Sequence, residues 1–146
     1  LRYSPTATGP SSGGQPLRGR LIVARADPLP ALQGWLAMAQ AQLGRSGFER
    51  GCPLATVALE TSPDDAALRA ALAKAFALLR GRVAALLAAD GRLAPARAEG
   101  LAALIVSTYE GALMQARVAG DAAPMLASAE VLLSLLQAEL DASPAR

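Results

Sequence analysis

The chain has 146 residues, 53% hydrophobic and 18% charged, with a formal net charge of +2, one cysteine and no histidine. That length suits one domain able to bury a core without disulfides or metal, and the charge is too small to signal nucleic-acid binding by itself. Without histidine, a Ser-His-Asp triad, a cysteine-histidine dyad and ordinary zinc sites are impossible, so neither an enzyme nor a cofactor is expected.

Residues 1–26 are rich in Gly, Pro and Ser and offer almost no apolar side chain to bury, so an irregular segment is expected there. The helical domain is expected over 27–146. Asp27 caps a first helix with Pro28 at its first position, where proline loses no hydrogen bond. Leu29, Leu32, Trp35 or Leu36, Ala39 and Leu43 recur at helical spacing, and Gly44 and Gly47 stop the helix. A short second helix runs from Pro53 to about Glu60. Ser62-Pro63-Asp64-Asp65 reads as the start of a third, with a serine cap and acid in the first turn. Leu68, Leu72, Phe76, Leu79, Val83 and Leu86 or Leu87 form its stripe as far as Asp90-Gly91.

A fourth helix begins near Pro95 and stops at Gly120. Leu101, Ala102, Leu104, Ile105 and Val106 make it apolar nearly all round, so it must be covered on two sides. Asp121 caps a fifth helix whose apolar face holds Met125 or Leu126, Ala129, Leu132, Leu133, Leu136 and Leu140, widened by Val131 and Leu135. No alternating stretches or hairpin signals intervene, so the fold class is all-α, a bundle of about five helices. Charges interrupt every apolar run before the roughly 18 residues a bilayer span needs, and no membrane partner is expected.

Two segments carry more than helical pattern. Gly51-Cys52-Pro53 opens the short second helix, and Tyr109-Glu110-Gly111-Ala112-Leu113 lies deep in the fourth. In order and spacing they resemble the C-terminal effector-binding and dimerisation domain of tetracycline-repressor (TetR) family transcription regulators, in the branch with a GCP turn and an EGAL-type helix. The resemblance covers about residues 27–141. It implies a cytoplasmic, ligand-responsive regulator, usually a repressor, in which a small apolar effector binds among the earlier helices and the last two helices pair with a second copy. The residues that fit an effector cavity are Trp35, Met38, Phe48, Cys52, Phe76, Tyr109, Glu110 and Met114. Those that fit a homodimer interface are Leu101, Ile105, Gly111, Leu126, Leu133 and Leu136. Residues 1–26 are too short and too rich in breakers to be the family's helix-turn-helix head, so DNA is expected to be reached only through a head this chain does not contain. The rival readings are a headless small-molecule-binding or dimerisation module and a helical-bundle enzyme. The enzyme would need a carboxylate constellation that the scattered Glu60, Glu99, Glu110 and Glu130 do not make.

Several of these residues also have plainer readings. Cys52 sits at a helix N-terminus, where the dipole favours a thiolate, but a free cysteine usually behaves as a small buried hydrophobe. Glu110 is either a polar fixture in a ligand cavity or a carboxylate paired with an arginine such as Arg117. Gly111 costs a helix roughly 1 kcal/mol against alanine, and close helix approach would compensate. Large side chains are scarce at 3% aromatic content, so most belong in the core. Arg18, Arg20 and Arg25 offer phosphate contacts or a solvated tail.

Overall fold

The computed structural model describes residues 27–143, and the expectations for 1–26, including Arg18, Arg20 and Arg25, lie outside the described residues. Five helices follow in order: α1 Pro28–Arg45, α2 Pro53–Glu60, α3 Ala66–Ala88, α4 Pro95–Ala119 and α5 Ala123–Ala142. Among the described residues there is no strand.

Local chemistry sets most of the ends. Asp27 Oδ1 accepts a hydrogen bond from Leu29 N at 3.1 Å, with Pro28 opening α1. At its other end Gly47 (φ 65°) and Phe48 (φ 64°) both enter the left-handed region, and Phe48 N donates back to the Leu43 carbonyl at 3.0 Å. A phenylalanine there is strained. Packing of its ring beneath α1, beside Cys52 and Tyr109, offsets that strain. Gly120 (φ 69°) closes α4 in the same way at lower cost, because it has no Cβ.

The start of α3 differs from the sequence expectation. Ser62 and Pro63 form a turn in which Ser62 Oγ accepts from Asp64 N, and Asp65 is the cap that accepts from Leu68 N at 2.9 Å. Acceptors at both Ser62 and Asp65 compete for nearby amides, and the helix forms behind the later one. Asp121 likewise accepts from Ala123 N while Ala122 occupies the cap position of α5.

The fourth helix is the axis of the bundle. It packs between α3 and α5, α1 crosses both α4 and α5, and α2 lies against α3. Its covered residues, Ala98, Leu101, Ala102, Ile105, Val106, Ala112, Leu113 and Ala116, occupy more than one face, as its all-round apolar character required. A main core forms around Leu32, Leu87, Ile105, Leu136 and Leu140. A second cluster around Leu43, Leu113, Ala116 and Met125 fills the space under the end of α1.

The helices differ in how firmly they are held. In α3 only Val83 and Leu87 are buried, both in its last turns, while Leu68 and Leu78 are exposed. No residue of α2 is buried. By contrast α5, which is long and apolar enough by composition to cross a membrane, commits Met125, Leu132, Leu136 and Leu140 to the protomer interior. The expected charge interruption is thinnest here, with Glu130 in mid-helix and Glu139 and Asp141 near its end.

A polar clasp ties the α3–α4 loop to the start of α1. Asp90, 3% exposed, accepts from Arg92 N at 2.9 Å and from Arg92 Nε, and Arg92 also reaches the Asp27 carboxylate at 3.6 Å.

Candidate functional site

The middle of α4 presents different chemistry on adjacent faces. Tyr109 turns toward α1, where its ring lies 4.4 Å from that of Trp35, centroid to centroid, at 37°. It packs against both apolar clusters and so joins them. Burial, reinforced by the nearby Cys52 and Glu110, raises the phenol pKa to about 12.

One residue further on, Glu110 faces α2 and α3. Both of its carboxylate oxygens are buried, and no N–H or O–H group donates to either; the weak Cys52 thiol is the neighbouring donor. Arg117 does not supply one: its stem runs past the loop before α2, where a side chain at Gly51 would meet Arg117 Cδ at 3.8 Å. The neighbour is instead Cys52. Desolvation raises the Glu110 pKa, and the adjacent thiol only partly opposes it. The thiol itself is pushed up, first by burial and then by Glu110. A raised thiol is the reverse of an activated one, so Cys52 stays protonated and packs under Phe48 and Tyr109.

Glu110 is on the wall of a cleft of about 440 Å³ between α2, α3 and α4. Ala55, Ala58 and Leu59 form its α2 side, Phe76 and Arg80 its α3 side, and Val106, Ser107 and Met114 join Glu110 on α4. The volume is in the range of small-molecule sites, and the lining is mostly apolar with a few polar groups, as such sites require. Leu59 is 73% exposed although it borders this cleft, so its apolar surface has no cover within the protomer.

A smaller cleft of about 230 Å³ lies on the opposite side of α4, between α1, α4 and α5. Tyr109, Leu36, Met125 and Leu133 floor it, and Gln33 and Gln40 are on its rim. A third, shallower groove runs between the outer faces of α4 and α5, lined by Leu104, Thr108, Val131 and Leu135.

These positions sort the residues singled out from sequence. Phe76, Glu110 and Met114 come together in the larger cleft. Trp35, Phe48 and Cys52 are half-buried packing residues outside it, and Tyr109, in ring contact with Trp35, lines the smaller cleft between α1, α4 and α5. Met38 is 53% exposed and lines neither cleft, because it projects from the side of α1 away from the core. Of the residues expected at an interface, Leu101, Ile105 and Leu136 are buried inside the protomer, and Leu133 is half-buried on the smaller cleft. The first three are thus covered by the protomer's own helices. Leu126 is exposed. Gly111 makes no close approach, since a Cβ there would meet nothing within 4 Å. Sequence reasoning missed Arg80, Leu59 and Ser107 as cleft residues. The proline-marked α2 and the helical spacing of Phe76 and Arg80 were the signals that place them opposite Glu110.

A family model described as the C-terminal domain of LmrA/YxaF-like transcriptional regulators matches residues 28–131. Two proteins from two strains of Mycobacterium tuberculosis, each described as an uncharacterized HTH-type transcriptional regulator, are 38% identical to this chain over 104 residues. The alignment covers 68% of this chain and 53% of each relative, so the chain spans about half the length of the curated relatives it matches. No solved structure gives a significant match.

Proposed function

The chain belongs to the TetR-family transcriptional regulators, as a C-terminal domain of the LmrA/YxaF-like kind, and from that premise we propose that it is the effector-sensing and dimerising part of a ligand-responsive repressor. The observation that carries the sensing role is the cleft between α2, α3 and α4. It is mostly apolar, of small-molecule size, and borders Glu110, whose buried carboxylate oxygens have no donor beyond the weak Cys52 thiol. An apolar effector there would cover Leu59, Phe76 and Met114 and would press on α2, the helix with no buried residue.

Movement of α2 is the conformational step this reading requires. Elements with little buried surface open at low free energy, and a ligand that bridges α2 to α3 and α4 favours one placement of it. Homodimerisation is assigned to the groove of Leu104, Val131 and Leu135 on the outer faces of α4 and α5. Operator reading belongs to a helix-turn-helix head, which the name of the relatives implies, and the setting is the cytoplasm.

The test is thermal denaturation of the full chain with a panel of lipophilic small molecules. A binding ligand raises the melting temperature by mass action. Met114→Arg projects a long charged side chain into the cleft from a half-exposed position, so it should remove the ligand-induced shift and leave the unliganded melting temperature nearly unchanged. No shift across the panel, or shifts that survive Met114→Arg, would remove the cleft from this reading.

A further inference from the structure

We propose that the cleft between α2, α3 and α4 selects lipophilic amines, whose ammonium group pairs with the Glu110 carboxylate. The inference rests on the cleft being the effector site. It deepens that reading by naming the chemistry of the effector.

The argument begins with what Glu110 lacks. A carboxylate offers about four acceptor sites on two oxygens, and in this protein the weak Cys52 thiol is the one donor beside them, so most of those sites are left open. A buried polar group left unpaired is costly, and the cost is greater for a charged one. The protein leaves this cost in place beside a cleft, although Arg117 is two turns along the same helix. The groups around the carboxylate do not remove it. From the α2 side comes the Cys52 thiol, from α4 itself the Tyr109 phenol, and across the cleft on α3 stands Arg80, which is exposed and makes no ion pair with Glu110.

The missing partner must therefore come from outside the protomer. An alcohol or phenol brings one donor. An ammonium brings three donors and the opposite charge, so it can satisfy both oxygens together, and charge-assisted hydrogen bonds are roughly twice as strong as neutral ones. The remaining wall, Ala55, Ala58, Leu59, Phe76, Val106 and Met114, fits an apolar body attached to that group.

Access is the remaining requirement, because the oxygens are covered in the unliganded fold. Their neighbour Cys52 caps α2, which buries no side chain of its own. Entry of the amine displaces this end of α2, and so the recognition of charge is linked to the helix that moves. Burial raises the Glu110 pKa in the unliganded fold, and an ammonium group beside it favours the carboxylate form.

The experiment uses three probes with one apolar body: phenylbutylamine, phenylbutanol and phenylbutanoate. Binding to the full chain is measured by isothermal titration calorimetry near pH 7, beside the Glu110→Gln and Met114→Arg variants. The wild type should bind the amine at least about tenfold more tightly than the alcohol, and the carboxylate least. In Glu110→Gln the advantage of the amine should fall below about twofold while the alcohol still binds, which also shows that the variant is folded. Equal binding of amine and alcohol to the wild type, or an amine preference that survives Glu110→Gln, overturns the proposal. If the alcohol binds in either case and Met114→Arg blocks it, the cleft remains the effector site and only the amine selectivity falls. Binding of none of the three probes overturns both.

Discussion

Leu135 and Leu136 are neighbours on α5, yet one is 53% exposed in the α4–α5 groove and the other is 2% exposed in the main core. Replacing Leu135 with glutamate and, separately, Leu136 with alanine should therefore give two distinct failures. Leu136→Ala removes a fully packed side chain and should cost about 2–5 kcal/mol of stability. For a domain of this size that lowers the melting temperature by roughly 5–20 °C. Leu135→Glu changes a surface residue of the protomer, for which the expected cost in folding is within about 0.5 kcal/mol.

Its effect should appear in association. Leu104, Val131 and Leu135 are each about half exposed, so covering the remainder of each contributes roughly 1 kcal/mol. Across a two-fold axis the six side chains give about 6 kcal/mol. Leu135→Glu deletes about 2 kcal/mol of this from the pair of copies and places two carboxylates in a closing apolar groove, each costing roughly another 1–3 kcal/mol when left unpaired. A total of about 4–8 kcal/mol weakens the dimer by at least about three orders of magnitude. Sedimentation velocity at micromolar concentration should find the wild type and Leu136→Ala, where folded, at twice the 14.9 kDa chain mass and Leu135→Glu at the single mass. If the wild type and Leu135→Glu sediment alike, whether as monomers or as dimers, the groove is not the dimer surface.

Four further outcomes follow from the same geometry. Because desolvation raises the Glu110 pKa in the folded state, its stabilising contribution is full below the ordinary carboxylate range and is lost as pH rises through the folded value. The melting temperature of the wild type should thus gain on that of Glu110→Gln as pH falls from 7 toward 4.5, and a constant gap would contradict the burial of this group. With its pKa raised to about 12, Tyr109 should contribute stability that is lost as pH climbs from 10 through 12, and ultraviolet titration should show a late phenolate step that Tyr109→Phe removes. Gly111→Ala should stabilise the chain by about 0.4–1 kcal/mol in denaturant melts, since open space surrounds that position and the backbone is helical; a loss would show that something does approach it. Asp90→Ala should cost about 1–3 kcal/mol by stripping Arg92 N and Arg92 Nε of their acceptor, whereas the exposed Glu139→Ala, which breaks the ion pair with Arg97, should be nearly silent in the same assay.

The parts of this structure legible in sequence are those decided within one turn of chain. Asp27-Pro28 and Gly120 each carry their own hydrogen-bonding or backbone reason for ending a helix, and both stand where the sequence places them. Ser62 shows the limit of such reasoning, because a second acceptor three residues on takes the amide of Leu68 and shifts the start of α3. Which apolar stripe faces inward is a longer-range question. Along α4 and α5 the spacing supplies apolar residues for more than one face, and a rotation of about 100° separates Leu135 from Leu136. Periodicity alone therefore cannot tell a core leucine from one left for a partner, and Leu101, Ile105 and Leu136 go to the core because α1 and α3 already occupy those sides of α4 and α5. Glu110 carries the same lesson in electrostatic form. Seven residues separate it from Arg117, close enough along the helix for a pairing to be expected, yet the loop before α2 draws Arg117 away and leaves the carboxylate to Cys52 and the cleft. What singles out this acid is the packing of α2 against α3, a contact between segments whose relation no local pattern records.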